Sequence, residues 1–138
     1  MIDHKFTDFG FRKVLFGEKQ SFVDNVFSGV ADKYDVMNDL MSFGVHRLWK
    51  KEFLKLIPDY SGSLLDIAGG SGDISLEFFK QADKIGIAPQ IVLSDINIDM
   101  LNTARDKFIN NNIINKIDLA LADAANLPFA NESFDYIT

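Results

Sequence analysis

Cysteine is absent from this sequence, and histidine (2) and proline (3) are scarce. Without cysteine there is no disulfide framework, no thiolate zinc or iron–sulfur site and no cysteine nucleophile. Two histidines leave little for a histidine metal cage. Basic residues are in deficit as well. Lys and Arg number 14 against 20 Asp and Glu, for a net charge of −6 and a pI of about 4.7. The chain therefore lacks the broad basic face that a nucleic-acid partner requires. No apolar run approaches the ~20 residues that span a bilayer, and the start carries no signal-peptide apolar segment, so a cytoplasmic location is expected. Internal repeats, low-complexity tracts and Pro/Gly-rich linkers are also missing. What remains is ordinary: 138 residues, 47% hydrophobic and 25% charged, which suits one soluble globular domain and excludes disorder of the whole chain.

The texture of the chain changes near Pro58. Before it the pattern is helical. Phe22, Val23, Val26, Phe27, Val30, Ala31 and Tyr34 recur at three- and four-residue spacing and predict a helix from about Glu18 to Lys33. A second helix is expected from about Val45 to Ile57, with Leu48, Trp49, Phe53, Leu56 and Ile57 inward. Residues 1–60 thus read as an amino-terminal helical cap, and 61–138 as the first part of a second unit. In that unit, apolar runs at Ser63–Ile67, Gln90–Asp95, Ile117–Leu121 and Phe134–Thr138 predict four strands. Helices are expected from about Gly72 to Gln81 and after Asn97, a plausible N-cap. Alternating strands and helices imply an α/β fold with an open parallel sheet, in which ligands bind beyond the carboxyl ends of the strands.

Chemistry should therefore lie at that edge. The first of these strands ends Asp66-Ile67-Ala68-Gly69-Gly70-Ser71-Gly72-Asp73. Glycines there let the backbone turn tightly and come close to a ligand. The dinucleotide pattern Gly-x-Gly-x-x-Gly fails, because Gly70 and Gly72 are followed by Ser75. Asp66 and Asp73 flank the turn, and carboxylates on both sides would repel a pyrophosphate. They would favour a cationic, phosphate-free ligand such as S-adenosylmethionine. The plainer alternative is that Asp73 complements the helix dipole and Asp66 merely ends a strand. Asp95 at the next strand end can accept both ribose hydroxyls, and Asp123-Ala124 at the third can meet an adenine edge. Acidic residues at three successive strand ends favour cofactor binding over solvated decoration.

With these residues in view, the sequence resembles the ubiquinone/menaquinone biosynthesis C-methyltransferases of the UbiE type. The resemblance rests first on Tyr34-Asp35-Val36-Met37-Asn38, Leu40-Met41-Ser42, His46 and Trp49. It continues through Asp66–Asp73, Asp95-Ile96-Asn97 with Met100-Leu101, Asp123-Ala124 with Leu127-Pro128-Phe129, and Ser133-Phe134-Asp135 with Ile137-Thr138. It covers nearly the whole chain from about Phe16. The resemblance implies the fold of a class I S-adenosylmethionine-dependent methyltransferase, Rossmann-like, with a lipid-soluble polyprenylated quinol as substrate. Its cofactor contacts would fall on Ser71, Asp95, Asp123 and Ala124, beside the turn residues Asp66, Gly69, Gly70 and Gly72. Ser71 stands where many relatives carry Thr. The family's fold has seven strands, and its later Phe-Gly-x-Arg-Asn segment has no counterpart before Thr138. The chain is thus expected to be the amino-terminal half of such an enzyme, truncated after about the fourth strand. Such a piece should bind cofactor without turnover, and its open sheet edge invites self-association.

Tyr34, Asp35 and His46 are the candidate bases in this half, and no catalytic base is assigned among them. No metal site is expected. Arg47, Lys51 and Lys55 share one helix face that could touch anionic lipid headgroups, although a solvated face is the stronger reading. Two rivals remain: an inactive S-adenosylmethionine-binding or partner-binding module, and a nucleotide-dependent oxidoreductase. The missing third glycine and the flanking acids disfavour the second.

Overall fold

Leu64, Leu65 and Ile67 sit in a run too short for a helix and too apolar for a surface strand. In the computed structural model of the protein they lie at the centre of a parallel sheet. The structure describes residues 45–138 throughout and, before them, residues 6–9, 12–15, 21, 23–26, 28–29 and 33. The elements in chain order are β1 (Phe6–Phe9), β2 (Arg12–Leu15), α1 (Val45–Leu54), β3 (Leu64–Ile67), α2 (Asp73–Lys84), β4 (Ile91–Asp95), α3 (Ile98–Asn110), β5 (Asp118–Leu121) and β6 (Tyr136–Ile137). A single 3₁₀ turn, Ile114–Lys116, precedes β5.

The sheet order is β5-β4-β3-β6, and all three pairings are parallel. Leu64 of β3 faces Ile91 of β4 on one side and Tyr136 of β6 on the other. Order reverses at β3: the first crossovers run outward to β5, and the last returns to the opposite flank. The crevice beyond β3 and β6 is accordingly the switch point at which open α/β sheets take ligands. β3 and β4 are buried, as inner parallel strands covered by helices must be, while β5 and β6 form the edges among the described residues.

Leu54, Leu64, Phe78, Ile91, Leu93, Leu101, Ala104, Phe108, Ile113 and Ile117 make the core. α2 contributes Phe78 and Ala82; α3 contributes Leu101, Ala104 and Phe108. Asn97 caps α3 as its position suggested, its side chain accepting from the amides of Asp99 and Met100. Tyr60 packs on Phe78 with ring centroids 5.1 Å apart and donates its hydroxyl proton to the Leu54 carbonyl at 3.0 Å.

Three expectations need correction or bounding. Phe6–Phe9 and Arg12–Leu15 pair antiparallel, so the segment before residue 60 is not helical throughout. Gly10, between the two short runs, is a turn signal that the helical periodicity further on obscured. The face of α1 also differs. Leu48, Trp49 and Leu56 are 64%, 60% and 78% exposed instead of inward, and Leu54 is the fully buried residue. α1 turns Lys50 and Leu54, four residues apart, toward α2, which rotates the Leu48 and Trp49 side outward. In the expected helix from Glu18 to Lys33, the described positions 21, 23–26, 28 and 29 are helical, with Val26 exposed. Tyr34 and Asp35 lie outside the described residues, as do the side chains of His46 and Arg47.

Candidate functional site

The turn that leaves β3 is held by its neighbours more than by its own sequence. The Gly69 amide donates to the Ser94 carbonyl at 3.0 Å, and the Gly70 amide donates to Asp95 Oδ2 at 2.8 Å. Asp95 Oδ1 accepts from the Asn97 amide at 2.9 Å, so this nearly buried carboxylate joins the β3 turn to the start of α3. Asn97 Nδ2 in turn lies 3.4 Å from Ser28 Oγ and 3.5 Å from the Asp24 carbonyl, which brings the amino-terminal helical positions to the end of β4.

The glycines answer to packing as well as to any ligand. A Cβ at Gly69 would lie 2.6 Å from Leu93 Cδ1, and one at Gly72 would lie 2.6 Å from Phe108 Cζ. Gly72 also has φ +81°, a conformation that L side chains rarely adopt. It precedes α2 as an N-cap without a side chain. Asp66 performs the capping from inside β3: its Oδ2 accepts from the Ser75 hydroxyl at 2.7 Å and the Ser75 amide at 3.2 Å. Asp66 Oδ1 accepts from the Thr138 hydroxyl at 3.2 Å. Burial pushes the Asp66 carboxyl above its ordinary value, against the opposing pull of these hydrogen bonds and of Lys50.

Asp73 is likewise not the open carboxylate expected beside the turn. Lys50 of α1 and Lys107 of α3 both form ion pairs with it, one on each oxygen. Burial raises the Asp73 carboxyl, but the two lysines outweigh burial and hold it below the ordinary range. Lys107 also donates to Ser71 Oγ at 3.1 Å. The turn is therefore not a bare acidic rim, and repulsion of a pyrophosphate by two free carboxylates does not describe it. What stands against the dinucleotide pattern is Ser75, whose hydroxyl is committed to Asp66 where a third glycine would be.

A hollow of about 310 Å³ opens beside the turn between α1 and the carboxyl ends of β3 and β6. Asp66, Gly69, Gly70 and Ser71 line it, together with Trp49, Lys50, Phe53, Asp73 and Thr138. Trp49 and Phe53 are stacked, with centroids 5.7 Å apart. Of the other expected site residues, Gly72 faces Phe108, and Asp95 reaches the turn through Gly70. Asp123 and Ala124 are exposed past β5, outside the hollow, where Asp123 closes a turn through the amides of Ala125 and Asn126. Lys50, Lys107 and Thr138 were not expected. For Lys50 no local signal existed, because its inward face is set by the burial of Leu54 four residues on, which the structure alone shows. Among the described residues no cluster of side chains is placed to hold a metal ion.

Comparison with known proteins fits this geometry. The fold is that of the S-adenosylmethionine-dependent methyltransferases. A putative S-adenosyl-L-methionine-dependent methyltransferase from Methanococcus maripaludis superposes with a TM-score of 0.66 at 19% identity, over 80% of this chain and 48% of its own. Coclaurine N-methyltransferase bound to N-methylheliamine and SAH superposes with a TM-score of 0.56 at 15% identity, over 65% and 25%. Residues 14–138 match the ubiE/COQ5 methyltransferase family, and the chain belongs to that family. It is 52% identical over 132 residues to the ubiquinone/menaquinone biosynthesis C-methyltransferases UbiE of Rickettsia bellii and Rickettsia prowazekii. Those matches cover 96% of this chain and 53% of each relative, so the chain spans about half the length of the curated relatives.

Proposed function

We propose that this chain binds S-adenosyl-L-methionine and serves the C-methylation of a polyprenylated quinol, either a demethylmenaquinol or a 2-polyprenyl-6-methoxy-1,4-benzoquinol. The observation that carries the reading is the Asp95–Gly70 hydrogen bond at 2.8 Å, which makes the glycine turn and the end of β4 one continuous rim. The relatives' printed name supports the quinol class. The residues present fit the cofactor. The hollow falls within the few-hundred-Å³ range of small-molecule sites. It offers charges of both signs beside a stacked aromatic pair, which suits a ligand carrying a carboxylate, an ammonium and a sulfonium.

When bound, the cofactor supplies a methyl carbon activated by the sulfonium. The chain's part is to align and to screen. Asp95 and, further along the rim, Asp123 with Ala124 receive the nucleoside; Gly69, Gly70 and Ser71 shape the floor beside Asp66. Trp49 and Phe53 wall the hollow on the α1 side and limit water there. A quinol ring carbon becomes nucleophilic as a ring hydroxyl loses its proton, and Tyr34, Asp35 and His46 remain the candidates for that task in this half, with none assigned.

One surface reading accompanies the proposal. Lys51 on α1 and Lys55 just past its end, the latter paired with Glu52, are exposed beside exposed Leu48 and Leu56, which supports peripheral contact with an anionic lipid surface. No helix among the described residues is long and apolar enough to cross a membrane. Titration calorimetry tests the main reading. S-adenosylmethionine should give heat and NAD none, and Asp95→Ala should weaken binding by about tenfold or more, the scale of a lost charge-assisted hydrogen bond. Unchanged affinity in that variant would remove Asp95 from the site.

A further inference from the structure

We infer that Lys50 is the residue that recognises the carboxylate of the bound cofactor, and that Asp73 is the positioning residue that holds it in place. This rests on the reading of the hollow given above. The strand order fixes the direction of the ligand. From β5 through β4 to β3 the rim presents Asp123, then Asp95, then the glycine turn. A nucleoside seated on the first two leaves its amino-acid end over the turn, in the hollow beside β3 and β6. Among the described residues that hollow is lined by two carboxylates, Asp66 and Asp73, and by one cation, Lys50. Of the described side chains that line it, Lys50 is the one that offers an α-carboxylate the opposite charge.

The ion pairs show how Lys50 can serve without abandoning its partner. Its side chain is mostly buried, so the ammonium is held in place and not swung into solvent. An ammonium has three protons, and the contact with Asp73 Oδ2 engages one of them. Asp73 in turn has a second lysine, Lys107, on its other oxygen. When Lys50 shares its charge with an incoming carboxylate, Lys107 still compensates Asp73. Helix α1 thereby reports to the glycine turn: the ligand, Lys50 and Asp73 tie α1 to the first residue of α2.

The test is a comparison of two ligands by titration calorimetry on the purified protein: S-adenosylmethionine, and its decarboxylated analogue, which keeps the nucleoside, sulfonium and amine. The parent should favour the carboxylated ligand by tenfold or more. Lys50→Gln should lose that preference by weakening S-adenosylmethionine alone, with the analogue bound as before. Lys50→Arg should restore most of it. Asp73→Asn should lower the preference partially. Equal weakening of both ligands in Lys50→Gln, or no weakening of either, overturns the assignment while leaving the cofactor reading intact. Failure of the parent to bind either ligand overturns both.

Discussion

Replacing Gly72 with alanine should destabilise the protein by about 2–5 kcal/mol, from two separable causes. Gly72 has φ +81°, and an L side chain there carries a cost of ~1–2 kcal/mol. The added Cβ would also stand 2.6 Å from Phe108 Cζ, 3.0 Å from Cε1 and 3.3 Å from Ala104 Cβ. Phe108 is fully buried, so its ring cannot swing into solvent, and overpacking of this kind costs ~1–3 kcal/mol. Gly86 supplies the control. Its φ is +73°, and nothing lies within 4 Å of a Cβ built there, so Gly86→Ala should show the backbone cost alone, ~1–2 kcal/mol. Thermal unfolding reads the difference, at roughly 3–5 °C per kcal/mol for a chain of this size. Adding Phe108→Leu to Gly72→Ala should recover part of the loss, so the double variant is better than the sum of the singles. Equal costs at Gly72 and Gly86, or strict additivity with Phe108→Leu, would refute the packing argument.

Leu54→Ala should cost ~2–5 kcal/mol in urea unfolding, whereas Leu48→Ala and Leu56→Ala should each stay within ~0.5 kcal/mol, because only Leu54 faces the core. Asp73→Asn should cost about 1–3 kcal/mol at neutral pH, since it removes one charge-assisted contact from each of two largely buried lysines, Lys50 and Lys107. Asp73 has a folded value held below 3.8, so its contribution is present above that pH and is lost as pH falls through the lower folded value. The gap between parent and Asp73→Asn should therefore close on acidification. Asp66 works in the opposite sense. Its folded value is raised above 3.8, so the folded state binds the extra proton and stability declines as pH rises through that window. Asp66→Asn should flatten that decline in a pH series of chemical melts.

The second half of the chain was legible because its signals are local. Short apolar runs alternate with helical spacing, Asn97 advertises a cap, and glycines mark the turn; each strand and helix after Pro58 lies within a few residues of its expected place. The strand order and the switch point were not legible, since nothing local says that β6 returns to the far side of β3. Around the turn, the residue types were right and their partners were hidden. Asp66 reads as a rim carboxylate until Ser75, nine residues on, is seen to take it as a cap. Asp73 reads as free until two lysines, 23 and 34 residues away, are folded onto it. The inward face of this segment was legible only in part: Phe53 and Ile57 pack against the core as expected, but Leu48, Trp49 and Leu54 are equally apolar, and tertiary contacts alone choose which goes inside. The hairpin at Phe6–Leu15 was lost beneath the stronger helical pattern that follows it.

Backing the glycine turn with Leu93, Met100 and Phe108 has a thermodynamic corollary. A loop that rests on hydrocarbon, and whose amides are already fastened to Ser94 and Asp95, has surrendered most of its freedom before any guest arrives. Association then has little backbone ordering to oppose it, and more of the gross attraction survives as affinity. The same rigidity makes the pocket floor poor at adapting, so changes in which guest is accepted should arise from the side chains of α1 and seldom from the turn itself.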